Sequence, residues 1–180
     1  SSEYKNLLKY CLVVGPSEYY FNSSLVNHYV SLFLQDNYQK VLGNRPLLYF
    51  YNLYDNNTAT AVQQLRTATM ATGLGEPYIV SMSAGDDRNN INPNAVSRYV
   101  TGGNNGATYA SRAAVEQNSW NNDKNMGKKV IPIVTLGWDP RPRVPVENWG
   151  EIYGNSWVQT PTVDEFSNQL QSALEWSSSN

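Results

Sequence analysis

The chain is 180 residues long, carries a formal net charge of −2 and is 41% hydrophobic. That is the size of one domain spanning 1–180, with no basic surplus to attract nucleic acid and no apolar stretch near the roughly 18 residues of a membrane span. Charged residues reach only 16%, against roughly 25% in an ordinary soluble domain, and neutral polar side chains, among them 22 asparagines, take their place. In chain order, the run 8–14 reads as a strand ended by Gly15-Pro16, with the lone Cys11 inside it as a small buried hydrophobe. Leu25, Val26, Tyr29, Val30, Phe33 and Leu34 then recur at helical spacing, and Asn22, Ser23 or Ser24 is placed to cap that helix. After a Gly43-Asn44-Arg45-Pro46 turn, residues 47–51 (LLYFY) read as a second strand, apolar on both sides as buried parallel strands are.

Residues 58–72 predict a helix stopped by Gly73. The run 77–82 predicts a third strand, 95–100 a weaker fourth, 109–118 an Ala-rich helix, and 130–136 (VIPIVTL) a fifth strand in which Pro132 is awkward. A last helix opens after Pro161 with a Thr162/Glu165 capping box, and Val163, Phe166, Leu170, Ala173 and Leu174 form its expected apolar face. Strands separated by helices predict a parallel sheet in an α/β fold. Each strand is followed by a polar loop, and in parallel α/β folds the loops at the carboxyl ends of the strands carry the site.

Three of those loops hold the chemistry. Gly137-Trp138-Asp139-Pro140-Arg141-Pro142-Arg143 follows the fifth run. A tryptophan face stacks on sugar rings, aspartate accepts hydrogen bonds from hydroxyls, and arginine donates several in a fixed fork. The two prolines stiffen the segment. The ordinary alternative is a loop in which Asp139 simply pairs with Arg141 or Arg143. Asp86-Asp87-Arg88 follows the third strand; at most one of Asp86 and Asp87 is expected in a cleft, and the alternative is a solvated turn. Glu18, next to Tyr19 and Tyr20, follows the first strand and either meets substrate or caps the following helix. Asn52 opens the loop after the second strand. The single His28 lies mid-helix, so a Ser-His-Asp triad has no well-placed histidine. Gly102-Gly103-Asn104-Asn105-Gly106 lacks the P-loop lysine and reads as a flexible turn. Asn22-Ser23-Ser24 and Asn56-Asn57-Thr58 match the glycosylation pattern, as an Asn-rich chain does by chance.

Three segments in order carry a resemblance. Asp36-Asn37-Tyr38-Gln39-Lys40-Val41 with Gly43-Asn44-Arg45-Pro46 and the strand after it, then the stretch 65–82, then 129–143 with its Gly-Trp-Asp and following arginine, together resemble the WbsX-like relatives of glycoside hydrolase family 99 over roughly residues 8–176. The resemblance implies a (β/α)8 TIM-type barrel acting on glycans, and family 99 itself holds retaining endo-mannosidases. Five strands, where a closed barrel needs eight, imply an incomplete barrel whose remaining segments belong to the same protein. The family's Asn-Glu-Trp-x-Glu catalytic element has no counterpart here; Glu147-Asn148-Trp149-Gly150-Glu151 has similar letters in a loop and in another order.

The expectation is therefore a hydrolase-like wall of a glycan-binding cleft, without cofactor or metal, in a secreted, periplasmic or cell-surface protein. Trp138, Asp139, Arg141, Arg143, Asp86, Asn52 and Glu18 are the expected substrate-binding residues. Asp139, Asp86 and Glu18 are the candidate catalytic carboxylates, expected to bind hydroxyls or stabilise charge rather than to move the proton. The alternative is a non-catalytic carbohydrate-binding or interaction domain. A nucleotide-binding flavodoxin-like domain fits the length but not Gly-Pro-Ser-Glu-Tyr-Tyr after the first strand, which offers no phosphate cradle.

Overall fold

A computed structural model describes residues 7–15, 19–51, 58–83, 91–101, 106–143 and 156–180. The chain divides into two units, Ser1–Ser97 and Arg98–Asn180. The strands are β1 (Leu12–Val14), β2 (Lys40–Val41), β3 (Arg45–Phe50), β4 (Tyr78–Ser81) and β5 (Ala95–Val96), and the helices are α1 (Val26–Phe33), α2 (Thr58–Met70), α3 (Tyr109–Asn125) and α4 (Val163–Ser179).

The first unit is an α/β layer. β1, β3, β4 and β5 lie side by side in that order and all pair in parallel, so the first four apolar runs form neighbours in sequence order. Register places Leu12 and Val14 beside Leu48 and Phe50, and these beside Ile79 and Ser81. On this shared face Val14, Leu48, Phe50 and Ile79 pack with Val26, Tyr29, Val30 and Phe33 of α1 and with Ala61, Val62 and Leu65 of α2. The expectation that β3 is apolar-buried on both sides is corrected: its burial alternates, with Pro46, Leu48 and Phe50 inside and Arg45, Leu47 and Tyr49 half-buried. On the opposite face Val13 is 54% exposed.

Local chemistry sets the element ends. The Asn22 side chain accepts from the Ser24 backbone N–H and caps a 3-10 turn, Ser23–Leu25, that leads into α1. Gly73, with φ +86°, stops the chain just past α2. β2 was not expected. It folds back antiparallel on β3 through Leu42, Gly43 and Asn44, all at positive φ, so the expected turn at 43–46 gives Arg45 and Pro46 to the strand. Between β4 and β5 the described residues 82–83 and 91–94 form no helix. The entry to β5 is instead held by Arg66 of α2, buried, which donates to the carbonyls of Ile91 at 2.9 Å and Asn92 at 2.7 Å and pairs with Glu76 at 3.0 Å. The Asn94 side chain accepts from the Ile79 N–H at 2.9 Å, filling a ladder position. The expected fourth strand, 95–100, is reduced to two residues.

The second unit is built on α3, which runs seven residues beyond the expected end at 118. Its buried stripe is Tyr109, Arg112, Glu116, Ser119, Trp120 and Asp123, mostly polar where a helix ordinarily buries apolar residues. Every charge in it is answered. Arg112 Nε meets Glu116 Oε1 at 3.2 Å one turn on, and Arg98 forks onto the Asp123 carboxylate at 2.8 and 3.1 Å. The expected strand at 130–136 is corrected: apart from a single bridge position at Val130 it forms no strand. Pro132 has no N–H to give a ladder. The carbonyls of Ile133 and Thr135 are taken by Trp120 Nε1 at 3.1 Å and the Tyr109 hydroxyl at 2.8 Å, and Thr135 Oγ1 donates to Glu116 Oε1 at 2.6 Å. Side chains of α3 do the work of a neighbouring strand.

The apolar face expected for α4 is also corrected. Val163, Leu170 and Leu174 are exposed, Phe166 is half-buried, and Gln169 and Ala173 are the buried residues. Gln169 Nε2 reaches Glu116 Oε2 at 3.3 Å while its Oε1 accepts from Gln117 at 2.8 Å, so the helix turns its polar side to the polar stripe of α3. The capping box forms as expected: Thr162 Oγ1 accepts from the Glu165 N–H at 3.2 Å, and Glu165 Oε2 accepts from the Thr162 N–H at 2.8 Å. Those bonds from the Thr162 N–H and hydroxyl hold the Glu165 carboxyl below the usual glutamate range. A depressed value stabilises above the unfolded pKa and is lost as pH falls through the folded one. Glu165→Gln keeps an acceptor at this position without titrating. Thermal melts on lowering the pH are therefore expected to show the wild type losing stability to acid more steeply than the variant.

Candidate functional site

Parallel pairing brings the carboxyl ends of β1, β3, β4 and β5 to one edge of the sheet. The ladder runs one residue beyond each strand: Tyr51 N–H donates to Val14 O at 2.9 Å, Met82 N–H to Phe50 O at 2.7 Å, and Ser97 N–H to Ser81 O at 2.8 Å. Gly15, Tyr51, Met82 and Ser97 therefore share that edge, and the chain leaves it toward each polar loop. Tyr19 and Tyr20 stand edge to face there, ring centroids 5.2 Å apart and both largely exposed. They are tied to the core because the Tyr20 carbonyl accepts from the Tyr29 hydroxyl at 2.6 Å, and a Cβ on Gly15 would touch the Tyr20 ring at 3.4 Å. Glu18, Asn52 and Asp86, with Asp87 and Arg88, lie outside the described residues.

The second unit carries the Trp138–Arg141 loop. Gly137 has φ +108°, a turn other residues enter with strain. The Trp138 carbonyl then accepts from Val158 N–H at 2.8 Å, while Gly106 N–H donates to Trp157 O and Gln159 N–H to Ala107 O, each at 3.0 Å. The segment 157–159 is thus laced between the loop and residues 106–107. Asp139 is gripped from one side: Arg141 Nε at 2.8 Å and the Arg141 backbone N–H at 3.1 Å bond Oδ1, and Nη2 at 2.7 Å bonds Oδ2. The guanidinium in turn lies over the Trp157 ring, 3.8 Å from its centroid. On Gly106, at φ +74°, a Cβ would meet that ring at 2.8 Å, so only glycine admits it so close.

The stack orders itself outward from Gly106 through the Trp157 ring and the Arg141 guanidinium to the Asp139 carboxylate. The Arg141 side-chain hydrogen bonds hold the Asp139 carboxyl below the usual aspartate range, and the carboxylate in turn raises Arg141. An ionised carboxylate offers about four acceptor positions, of which the Arg141 bonds use two on Oδ1 and one on Oδ2. Asp139 is exposed, Trp138 half-buried and Pro140 buried. Arg143 ends a 3-10 turn, Arg141–Arg143, and its side chain lies outside the described residues.

The pairing of Asp139 with Arg141 is the ordinary alternative for this loop, which named Arg141 or Arg143 as the partner. The ring beneath the arginine is the part sequence reasoning missed: Trp157 was only one of three tryptophans in a long loop, and Gly106 read as a flexible turn. The buried Arg112–Glu116 pair was missed too, although its i, i+4 spacing was legible. Among the described residues no three His, Cys, Asp or Glu side chains gather to hold a metal ion, and no helix is long and apolar enough to cross a membrane. No family model, curated protein or solved structure matches this chain.

Proposed function

We propose that this chain supplies part of a glycan-binding cleft in a glycoside-hydrolase-like (β/α) barrel, with the Trp138–Arg141 loop touching the sugar. The observation that carries the reading is Asp139, an exposed carboxylate locked in orientation by Arg141 on an aromatic base, with acceptor capacity left for a hydroxyl. A carboxylate held ionised and immobile suits hydroxyl binding and charge stabilisation better than proton transfer, which needs a pKa near the working pH. The proton and nucleophile roles of a glycosidase need two carboxylates flanking the bond, and Asp86 and Glu18 are the further candidates.

The winding of the sheet supports the barrel. Each new strand adds on the same side, in the order β1-β3-β4-β5, as in a singly wound barrel. A doubly wound nucleotide-binding sheet reverses direction at a switch point, and among the described strands this order does not reverse.

Titration of the wild type, Asp139→Asn and Trp138→Ala with mannotriose and with maltotriose tests the reading. Asp139→Asn is expected to keep the fold and its melting temperature within a few degrees, and to weaken saccharide binding about tenfold or more, as loss of a charged hydrogen bond does. Affinity unchanged in both variants, with a large fall in melting temperature for Trp138→Ala, would make the loop structural and sink the proposal.

A further inference from the structure

Where α3 and α4 run together, their seam stays open. Gln117, Trp120 and Asn121 sit at i, i+3 and i+4 on α3, and Ser172, Glu175 and Trp176 repeat that spacing on α4. Paired stripes of this kind ordinarily close on apolar side chains. Here small serines and neutral amides leave a groove of about 360 Å³, inside the range of small-ligand sites of about 300–1,000 Å³.

The groove has a rigid aromatic base. Trp120 and Trp176 pack with centroids 5.8 Å apart, tilted by 54°. Trp120 is buried and pinned by its bond to the Ile133 carbonyl. Trp176 is half-buried, and its Nε1 donates to Asn121 Oδ1 at 2.8 Å. That bond fixes the Asn121 amide and leaves its NH₂ as a donor. Gln117 spends its NH₂ on Gln169, leaving its carbonyl oxygen as an acceptor, and Glu175 spends Oε1 on Gln171, leaving Oε2. Lys124 is hydrogen-bonded to the Oδ1 of Asn180, a residue that lines the groove.

We infer that this α3–α4 groove is a saccharide-binding site of its own. The chemistry selects the class: an indole surface beside neutral amide donors and acceptors and one carboxylate matches a ring that is apolar on its face and hydroxylated around its rim. A phosphate or acidic peptide would need cations, and the groove presents a carboxylate instead. The site is separate from the Trp138–Arg141 loop. That loop lies at the start of α4, where a Cβ on Gly137 would stand 4.0 Å from Pro161, whereas Trp176 is fourteen residues beyond Thr162, about 21 Å along the helix. The groove stands on its own residues, so the proposed role of the loop can fail without it.

Indole N–H resonances of the chain, followed by NMR during titration with mannotriose and with maltotriose, test it. The expected result is a saturable shift of the Trp176 and Trp120 signals for at least one of the two probes. Asn121→Ala and Glu175→Ala, both at exposed positions, are expected to weaken that response about fivefold each with the melting curve unchanged, and Asp139→Asn is expected to leave it intact. Trp176→Ala is expected to abolish the Trp120 shift, with circular dichroism checking the fold. No saturable indole shift with either probe overturns the inference. So does a shift that Asn121→Ala and Glu175→Ala leave untouched, or one that Asp139→Asn alone removes.

Discussion

Glu116→Ala is expected to destabilise the Arg98–Asn180 unit by about 3–5 kcal/mol, the cost of removing one partner from a buried ion pair. Both side chains of the Arg112–Glu116 pair are fully inside, at 1% and 0% exposure. Truncation removes the acidic partner of the buried guanidinium and also the acceptor that holds Thr135 Oγ1 and Gln169 Nε2. Among the described residues the run 130–136 forms no strand, so it loses a side-chain tie to α3. In a unit of this size each kcal/mol moves the melting temperature by roughly 4–8 °C. A thermal scan read by near-ultraviolet circular dichroism, which senses Trp120, measures the shift. Arg112→Met combined with Glu116→Leu, which removes both charges, is expected to recover most of the loss. A single variant that melts within a degree or two of the wild type would show that the pair carries no weight.

Phe50→Ala is expected to cost about 3–5 kcal/mol in the Ser1–Ser97 unit through lost burial and the cavity left behind. Phe50 is 1% exposed at the last position of β3 and meets the Phe21 ring edge-on at 4.9 Å, with Phe21 in turn 5.3 Å from Tyr29. Removing the ring takes away about 0.5–1.5 kcal/mol of aromatic pairing beyond its area, a share already inside that total. The loss sits at the sheet edge where the loops begin, because Tyr51 follows directly and its N–H holds Val14. Denaturant unfolding gives the number. Phe50→Leu, which refills most of the volume, is expected to lose less than half as much, and equal losses in the two variants would argue against the cavity.

Much of the first unit was legible in the residues because its signals are local. Apolar runs at 8–14, 47–51 and 77–82 each contain an observed strand or most of one, and helical spacing from Val26 to Phe33 marks the face of α1 that is buried. Asn22, Gly73 and the Thr162/Glu165 box act within a few residues of themselves, so their roles follow from sequence spacing alone. The parallel order also follows, because short strands joined through long connections cannot form a hairpin.

Competition between partners far apart in the chain was decided only in three dimensions. The run 130–136 has strand composition, but Pro132 withholds a donor and α3 offers Trp120 and Tyr109 to its carbonyls, so side chains replace a ladder. α4 has an apolar stripe, yet it buries Gln169, because the face of α3 it meets carries Glu116, and a buried charge needs hydrogen-bond partners more than a leucine needs cover. The loop residue Trp157 joins Asp139 and Arg141 only because Gly106, fifty-one positions earlier, has no side chain to keep the ring away. Sequence by itself determined the main strands and helices of the first unit, the caps at Asn22 and Thr162/Glu165 and the parallel order of β1, β3 and β4, since each depends on neighbours a few residues away or on connection length. The tertiary structure alone decided which polar groups are buried together, since that depends on matching donors to acceptors across elements that periodicity does not relate.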